Sequence, residues 1–393
     1  MLSITACVAC LITVEFLPAG LLTPIAQGLH VSQGMAGQTL TATAVAAIFA
    51  SLFVSALTRG MDRRRVVLGY SVLLILSSLL TALSTNFVVM LIGRVLLGWA
   101  LGGFWAMAAA ITMQLVGPKE VPKALSIVFG GVSVALVLAA PAGSFLGEII
   151  GWRGVFLLAA GLGMACLVWQ ALVLPPLPSR EHRPAMAAFL VFRRAGVPAA
   201  MLAIFAAFAG QFAFFTYLRP FLEAVPRLSV DRISLVLLLF GVSNFVGTSL
   251  SSLFLNGKLK ATLGLAPLAL ACCAIALIGA GHLQLVTTVV VALWGFVLGL
   301  VPVAWSTWVA RSLPDDAEAA GGLQVAVIQV ANAFGAALGG YLLDGSGPKA
   351  PLVASAVLLA LAGTVVLAAV HVRAVKPAAT LARNEAPETL GAS

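Results

Sequence analysis

Hydrophobic residues fill long runs along the whole chain, and short breaks with charged residues, Gly or Pro separate these runs. About 20 apolar residues suffice for one helix to cross a membrane. The run VTTVVVALWGFVLGLVPVAW shows none of the alternation that a membrane β-strand requires. The pattern predicts an all-α bundle of twelve transmembrane helices, at about 2–26, 34–57, 66–84, 87–114, 122–148, 153–174, 199–222, 233–255, 261–281, 283–310, 319–343 and 350–372.

The composition indicates that these apolar helices belong to a membrane protein. The 393 residues are 61% hydrophobic and 9% charged, whereas soluble domains contain about 25% charged residues. A soluble protein of this length would need a larger interior than single cores reach, so the lipid bilayer is the expected surrounding of the helices. The first run is too long for the core of a signal peptide, and we interpret it as a retained helix.

Motifs for metal binding, nucleotide hydrolysis and catalysis are missing from the sequence. The five cysteines lie inside predicted spans and show neither a disulfide framework nor metal-ligand spacing. The sequence also contains no GxxxxGK[ST], HExxH or GxSxG, so we expect no cofactor, no metal and no enzyme activity. A transport function would then be driven by an ion gradient or by the gradient of the solute itself.

Basic residues indicate the orientation of the chain. Most of the 22 Lys and Arg residues follow even-numbered predicted spans or lie in the C-terminal tail. Positive charge marks the cytoplasmic side of a membrane protein, so both termini are expected in the cytoplasm. The net charge of +9 is then a consequence of topology. Since no RNP, zinc-finger or helix-turn-helix signature is present, we expect no nucleic-acid partner.

A segment rich in Pro and Arg divides the chain near its midpoint. We predict an N-terminal six-helix half at 1–174, a cytoplasmic linker at 175–198, a C-terminal six-helix half at 199–372 and a disordered tail at 373–393. GSFLG at 143–147 is echoed by GAALG 192 residues further on. Repeated halves with a site at their interface are the common plan of secondary transporters.

Two ionisable residues lie well inside the predicted spans, where a charge is costly and functional by default. Glu15 interrupts the apolar run TVEFLPAGLLTP. A buried carboxyl of this kind either exchanges a proton near neutral pH or serves as a hydrogen-bonded neutral strut. Arg94 either anchors its helix to backbone carbonyls or modulates a proton site. Glu148 lies near a span end, where it is placed to pair with Arg153 at the rim.

Neutral polar and aromatic residues inside the spans indicate a ligand cavity. Such amides either join helices or contact a ligand, and aromatic faces beside amides suit a planar, neutral, hydrogen-bonding solute. Gln329 and Asn332 are three residues apart and share one helix face. The candidate lining residues are Phe104, Trp105, Gln211, Tyr217, Asn244, Trp305, Gln329 and Asn332.

Five stretches, in this order, carry a resemblance to a known family. They are CLITVEFLPAGLLTPIAQ, IGRVLLGWALGGFWAM, AAPAGSFLGEIIGWRGVF, FAGQFAFFTYLRPF and AWSTWVARS. The chain resembles the major facilitator superfamily, within its drug:proton antiporter branch, and looks most like bacterial purine ribonucleoside efflux pumps. The resemblance extends over nearly the whole chain.

The resemblance implies roles for several residues. In LTRGMDRRRVV, Asp62 and Arg63 match the family's gate motif, with Thr58 in the position of its glycine. Arg94 matches the arginine of the fourth span, and Pro141 matches the antiporter motif of the fifth. That motif departs from the family at Ala140 and at Ser144–Phe145, where glycines are common. Gly143 and Gly147 are the remaining gating candidates, since their spacing lets helices approach closely.

These observations lead to a hypothesis about function. Glu15, with Arg94, is the proton-coupling site of an exporter with two alternately exposed halves, located in a bacterial inner membrane and monomeric. The resemblance implies purine ribonucleosides of the inosine and guanosine class, and purine base analogues, as the small-molecule substrates. One alternative is the same fold exporting sugars or hydrophobic drugs. A more distant alternative is a membrane receptor or scaffold that transports nothing.

Overall fold

The structure is a computed structural model that describes residues 1–58, 60–116, 121–178, 191–255, 258–313 and 317–371. Half of the predicted linker, residues 179–190, and the whole of the predicted tail lie outside these residues. The helices are α1 Leu2–Leu29, α2 Gln33–Leu57, α3 Arg63–Ala82, α4 Phe87–Leu115, α5 Val121–Val173, α6 Val197–Phe215, α7 Leu218–Ala224, α8 Val230–Leu255, α9 Leu259–Ala280, α10 Gln284–Ser312, α11 Ala317–Ser346 and α12 Ala350–Ala369.

The helices confirm the predicted all-α membrane bundle. Within the described residues, ten helices are long and apolar enough to cross a membrane, and α2 matches the run predicted at 34–57. The long helix α5 contains both the fifth and the sixth predicted spans. It turns at Gly151, whose φ of 71° and ψ of 159° are non-helical. A positive φ of this kind favours glycine, because other side chains would be strained there.

One predicted span differs from the structure. The run at 199–222 was predicted as a single helix, but α6 ends at Phe215 and α7 starts at Leu218. Between them, Tyr217 has a φ of −111° and a ψ of 17° and lacks a side-chain cap. The apolar pattern continues across this break, which explains why the sequence predicts one span here.

Several helix ends are fixed by polar side chains just before the first turn. Asp62 precedes α3 and accepts a hydrogen bond from the backbone N–H of Arg64. Ser32 accepts one from Met35 at the start of α2, and Asn86 accepts one from Val89 at the start of α4. Such caps satisfy N–H groups that have no partner inside the helix, and they define where these helices begin.

Helix packing divides the molecule into two halves with the same plan. In the first half, α1 packs on α5, α2 packs on α4, and α3 packs on both α4 and α5. In the second half, α6 packs on α11 and α12, α8 on α10, and α9 on α10 and α12. The halves meet where α2 contacts α11, α5 contacts α8, and α1 contacts α7. This pairing is that of two pseudo-symmetric six-span halves.

Close glycine contacts repeat between the halves at a constant spacing. Gly143 lies against Leu17, and Gly335 lies against Ala209; both members of the second pair come 192 residues later. The next turn of each helix repeats the arrangement with Gly147 on Leu21 and Gly339 on Ala213. The short echo GSFLG and GAALG therefore reflects equivalent positions in the fold.

A second set of glycine contacts also repeats between the halves; the spacing of Gly98 and Gly102 predicted a close helix approach, but its repeat in the second half was missed. Gly98 lies against the carbonyl of Thr43, and Gly295 lies against that of Phe240, with a spacing of 197 residues. Gly102 on Ala47 and Gly299 on Asn244 repeat the pair one turn further. The signal was available, because GWALG in α4 and GFVLG in α10 share their glycines and leucine.

Equivalent residues of the two halves are 192 positions apart in the first pair of contacts and 197 apart in the second. The halves therefore differ in the length of chain between these contacts. Five more residues separate the first and second spans in the second half than in the first. In the first half, α1 and α2 are joined by residues 30–32, whereas α7 lies between α6 and α8 in the second half. By the 192-residue spacing, α7 corresponds to residues 26–32, the last turn of α1 and the loop after it, and the five additional residues are the loop 225–229 before α8.

The helix bundle has two ends, which we name the terminal end and the opposite end. The terminal end is the one where α1 begins, α12 ends and residues 174–178 and 191–196 lie. The opposite end carries residues 30–32, Gly151, α7 and the end of α11.

Candidate functional site

The two ionisable residues predicted inside the spans meet between α1 and α4. The side chain of Arg94 is 0% exposed. Its Nη1 atom donates a hydrogen bond to the carbonyl oxygen of Val14 at 2.8 Å, and its Cζ atom lies 4.8 Å from the ring centroid of Phe156. The guanidinium thus anchors α4 to the backbone of α1, next to Glu15.

Both charged groups retain unused hydrogen-bonding capacity. Nε and Nη2 of Arg94 are buried without a hydrogen-bond partner. The carboxylate of Glu15 forms no hydrogen bond or ion pair with any residue in the described part of the chain, and its charge interacts with that of Arg94. The anchoring contact of Arg94 is therefore present in the structure. A role for Arg94 in modulating Glu15 stays a prediction.

An aromatic cluster that the sequence analysis missed lies beside Glu15. The ring of Phe16 is 6.0 Å from Phe212 and 6.1 Å from Phe215, and Phe215 stacks on Phe240 at 5.1 Å. Phe16 belongs to the first half and the other rings belong to the second, so Glu15 lies next to the junction of the halves. Phenylalanines 212 and 215 are three residues apart on one helix face, which was the available signal.

The predicted cavity residues are held by several separate contacts. Phe104 and Trp105 meet edge to face at 5.8 Å. Gln211 accepts a hydrogen bond from Nε1 of Trp294 at 2.5 Å, and Asn244 donates to the carbonyl of Gly295 at 3.2 Å. These two amides join helices of the second half.

The other predicted polar residues divide into two groups. Asn332 donates to Gln329 at 3.3 Å, as the three-residue spacing predicts, and Oδ1 of Asn332 is buried without a partner. Nε1 of Trp305 is also buried without a partner. Tyr217, by contrast, is 1% exposed and donates to the carbonyl of Ala336 at 2.7 Å, so its hydroxyl is already bonded inside the second half.

The residues of the predicted gate lie at the terminal end. Asp62 accepts hydrogen bonds from the backbone N–H of Arg64 at 2.8 Å and of Leu177 at 2.9 Å. These bonds hold the pKa of Asp62 below its ordinary value. Arg63 donates to Thr58 at 2.8 Å and to Met107 at 3.2 Å. These bonds stay within the first half, apart from the one to Leu177, which lies just after it.

Pro141, another gating candidate, lies inside α5 where three helices come close together. Its ring removes a backbone donor from the helix. Gly241 of α8 packs directly on the backbone of Val137, and Gly20 of α1 packs on the carbonyl of Ala140. The proline therefore lies at a crossing of both halves.

The predicted pair of Glu148 and Arg153 does not form. Arg153 donates to the carbonyl of Ser84 at 2.9 Å, and its guanidinium lies 4.2 Å from the ring centroid of Trp152. Glu148 is exposed on α5. The prediction was wrong because Gly151 redirects the chain between the two residues.

Open volume is found at the terminal end of the second half. A cleft of about 740 Å³ is lined by residues that include Arg193, Arg194, Trp308 and His371. A second cavity of about 350 Å³ lies between α6 and α11. Neither touches Glu15. No cluster of His, Cys, Asp and Glu that would bind a metal ion occurs among the residues that the structure describes.

Membrane-length helices in two similarly packed halves, with an isolated carboxyl beside their junction, define a multi-pass membrane protein of the secondary-transporter class. The chain belongs to the Major Facilitator Superfamily, whose family model matches residues 4–331. It is therefore a transporter and not an enzyme.

Close relatives and solved structures agree with this assignment. The purine ribonucleoside efflux pumps NepI of Shigella sonnei (strain Ss046) and Escherichia coli (strain K12) are each 53% identical over 371 residues, covering 94% of this chain and 94% of the relative. A D-xylose-proton symporter is 16% identical with a TM-score of 0.76, covering 94% of this chain and 97% of its own. A bacterial homolog of the human lysosomal transporter Spinster, inward-facing and unoccupied, is 18% identical with a TM-score of 0.73, covering 93% and 95%. The solved structures share the fold.

Proposed function

We propose that the protein exports purine ribonucleosides and purine base analogues across a bacterial inner membrane, coupled to proton entry. The observation that carries the coupling is the carboxyl of Glu15, which lies without a hydrogen-bond partner beside the junction of the halves. A carboxyl inside a membrane protein is functional by default. The substrate class is supported by the 53% identity to the NepI efflux pumps over 94% of both chains.

The chemistry around Glu15 suits a purine ribonucleoside. A purine base is flat and aromatic, so it can stack on rings such as Phe16 and Phe212. Elsewhere in the second half, the buried polar atoms of Trp305 and Asn332 that have no hydrogen-bond partner are a donor and an acceptor, and a nucleoside offers both kinds of group. Such groups fix the orientation of a ligand inside an otherwise apolar site.

Proton and substrate occupy the same region in turn. An ionised Glu15 is attracted by the buried guanidinium of Arg94, whose Nε and Nη2 have no other partner. Protonation removes that attraction and changes which arrangement of the halves is favoured. Arg94 therefore links the charge state of Glu15 to α4, and alternating exposure of the site moves the nucleoside outward.

Orientation follows from the distribution of positive charge. We place the terminal end in the cytoplasm, since most Lys and Arg residues belong to loops on that side. The protein acts as a monomer, because the two halves of one chain together enclose one complete candidate site. Pro141, Gly143 and Gly147 lie where α5 meets its neighbours, so we assign them to the gate together with Asp62 and Arg63.

Uptake of labelled inosine into inverted membrane vesicles tests the proposal. The expected result is uptake that rises when the vesicle interior is made acidic and stops when a protonophore removes the gradient. Vesicles without the protein are the control, and guanosine should compete whereas xylose should not. Absence of inosine uptake, or uptake that ignores the gradient, contradicts the proposal.

A further inference from the structure

A buried arginine from the second half reaches into the first half at the opposite end. Arg219 of α7 is 4% exposed. Its Nη1 atom donates to the carbonyl of Gly20 in α1 and, at 3.3 Å, to the hydroxyl of Ser144 in α5. Its Nε atom pairs with Glu223 at 2.8 Å. One guanidinium thus joins α7 to two helices of the other half.

The partners of Arg219 extend the connection. Glu223 accepts a hydrogen bond from the hydroxyl of Thr23 in α1 at 2.5 Å. Ser234 of α8 donates to the hydroxyl of Ser144 at 3.0 Å. The polar contacts therefore connect four helices, two from each half, at a depth where α1 and α5 are otherwise lined with apolar residues.

A second connection at the same end involves a helix cap. Asp344 of α11 accepts hydrogen bonds from the backbone N–H of Gly34 at 2.9 Å and from the hydroxyl of Ser32 at 2.5 Å. Both residues belong to the start of α2. The first turn of α2 has N–H groups without helical partners, and a carboxylate from the other half satisfies one of them.

At the terminal end, the hydrogen bonds of Asp62 and Arg63 to other described residues connect parts of the first half with each other and with Leu177, just after that half. We infer that Arg219 and Asp344, with their partners Gly20, Ser144, Glu223, Ser32 and Gly34, form an inter-half lock that closes the opposite end. Breaking this lock is the step that opens the site to that side. The inference rests on the alternating exposure in the proposed function.

The lock uses charged residues that the first half lacks at the equivalent positions. Arg219 and Glu223 both lie in α7, and the 192-residue spacing relates them to Gln27 and Val31. They are four residues apart, so one helix turn presents the pair together. Because neither Gln27 nor Val31 carries a charge, two-fold symmetry does not supply the same lock from the first half.

Labelling of a buried reporter measures opening without any substrate. Leu40 is buried against Phe212 and Ala336 of the second half, near the start of α2. In a protein whose five cysteines are replaced by alanine, Leu40→Cys is exposed to a membrane-impermeant maleimide from the opposite face of sealed vesicles. Arg219→Ala should raise the labelling rate about tenfold, the effect of losing one charged hydrogen bond.

Matched variants distinguish the loss of the lock from a general effect of lost charge and from misfolding. Arg232→Ala removes an exposed arginine at the same end, whose bond to Gln284 at 2.5 Å stays within the second half, and labelling should not change. Asp344→Asn alters an exposed position with little risk to folding, and it should also raise labelling. Equal labelling rates in Asp344→Asn, Arg219→Ala and Arg232→Ala overturn the lock.

Cross-linking gives the reverse experiment. Ser32→Cys with Asp344→Cys, joined by a short thiol-specific reagent that contains a disulfide, should stop inosine flux, and reduction should restore it. Flux that continues while the two cysteines are joined overturns the lock. Faster labelling in a protein that moves no nucleoside would support the lock and contradict the proposed function, so the two failures are distinguishable.

Discussion

Glu15 and Arg94 are an unequal pair at the centre of the molecule. Arg94 is anchored by the carbonyl of Val14 and the ring of Phe156, whereas Glu15 has no such contact within the described residues. The fixed cation and the free carboxyl suggest that Glu15 is the member whose charge changes during transport.

Glu15→Gln tests this assignment. Glutamine keeps the size and the hydrogen-bonding groups but cannot titrate, so export against a gradient should fall at least about tenfold while solute exchange at equilibrium persists. Glu15→Asp should keep part of the coupling with an altered pH profile. The measurement is labelled inosine flux in vesicles across a pH series.

The control for this substitution is Glu148→Gln, which changes an exposed glutamate of the same half and should leave the coupling intact. Export by Glu15→Gln that still follows the pH gradient would mean that the proton is carried elsewhere.

The sequence predicted the two central charges but few of their neighbours. A carboxyl in an apolar run is conspicuous without any structure. The sequence did not single out Arg219 and Glu223, because they lie at the end of a predicted span, where charged residues are common. The bonded partners of Gln211 and Tyr217 could not be predicted either. Periodicity tells which face of a helix a residue occupies, but it does not tell which helix packs there.

At the level of elements, glycine contacts fix how closely the helices approach. Gly102→Ala should destabilise the protein, because the added Cβ atom meets the backbone of Ala47. Overpacking of this kind typically costs about 1–3 kcal/mol. Gly161→Ala is the matched control, since nothing lies within 4 Å of its Cβ position. Thermal unfolding of both purified variants in detergent measures the difference, and equal melting temperatures would contradict the packing argument.

The cap of α3 gives a pH-dependent contribution. Backbone hydrogen bonds from Leu177 and Arg64 lower the pKa of Asp62 below 3.8, so its contribution to stability is fully present above about pH 3.8. It is lost as the pH falls through the lower pKa of the folded protein. Asp62→Asn should therefore melt at a lower temperature than the original protein at pH 7, with the difference shrinking below pH 3.8. A difference between the two melting temperatures that stays constant across this pH range would contradict the prediction.

Element boundaries were predicted unevenly, and the reason is local geometry. The number of spans follows from hydrophobic length, which the bilayer imposes. The single-residue turn at Gly151 and the break before α7 depend on backbone angles at one or two residues. Apolar runs carry no information about such angles: they predicted a boundary at 149–152, around Gly151, but the break before α7 appears only in the structure.

For the whole molecule, the predicted orientation has a direct test. Reporter tags placed after Arg183 and at the C-terminus should both lie in the cytoplasm, and a tag after Arg227 should lie outside, because positive charge is retained on the cytoplasmic side. Accessibility of the tags in intact and permeabilised cells measures this. Tags after Arg183 and at the C-terminus on different sides would contradict the arrangement of six spans in each half.

The repeated glycine contacts also have a consequence for biosynthesis. Gly143 on Leu17 and Gly335 on Ala209 each close a contact between two helices of the same half. The first half can therefore pack before the ribosome has completed the second, as domains generally do during translation. Residues 1–183 and 184–393, produced as two separate polypeptides in one cell, should assemble and restore inosine transport, while either polypeptide alone should transport nothing.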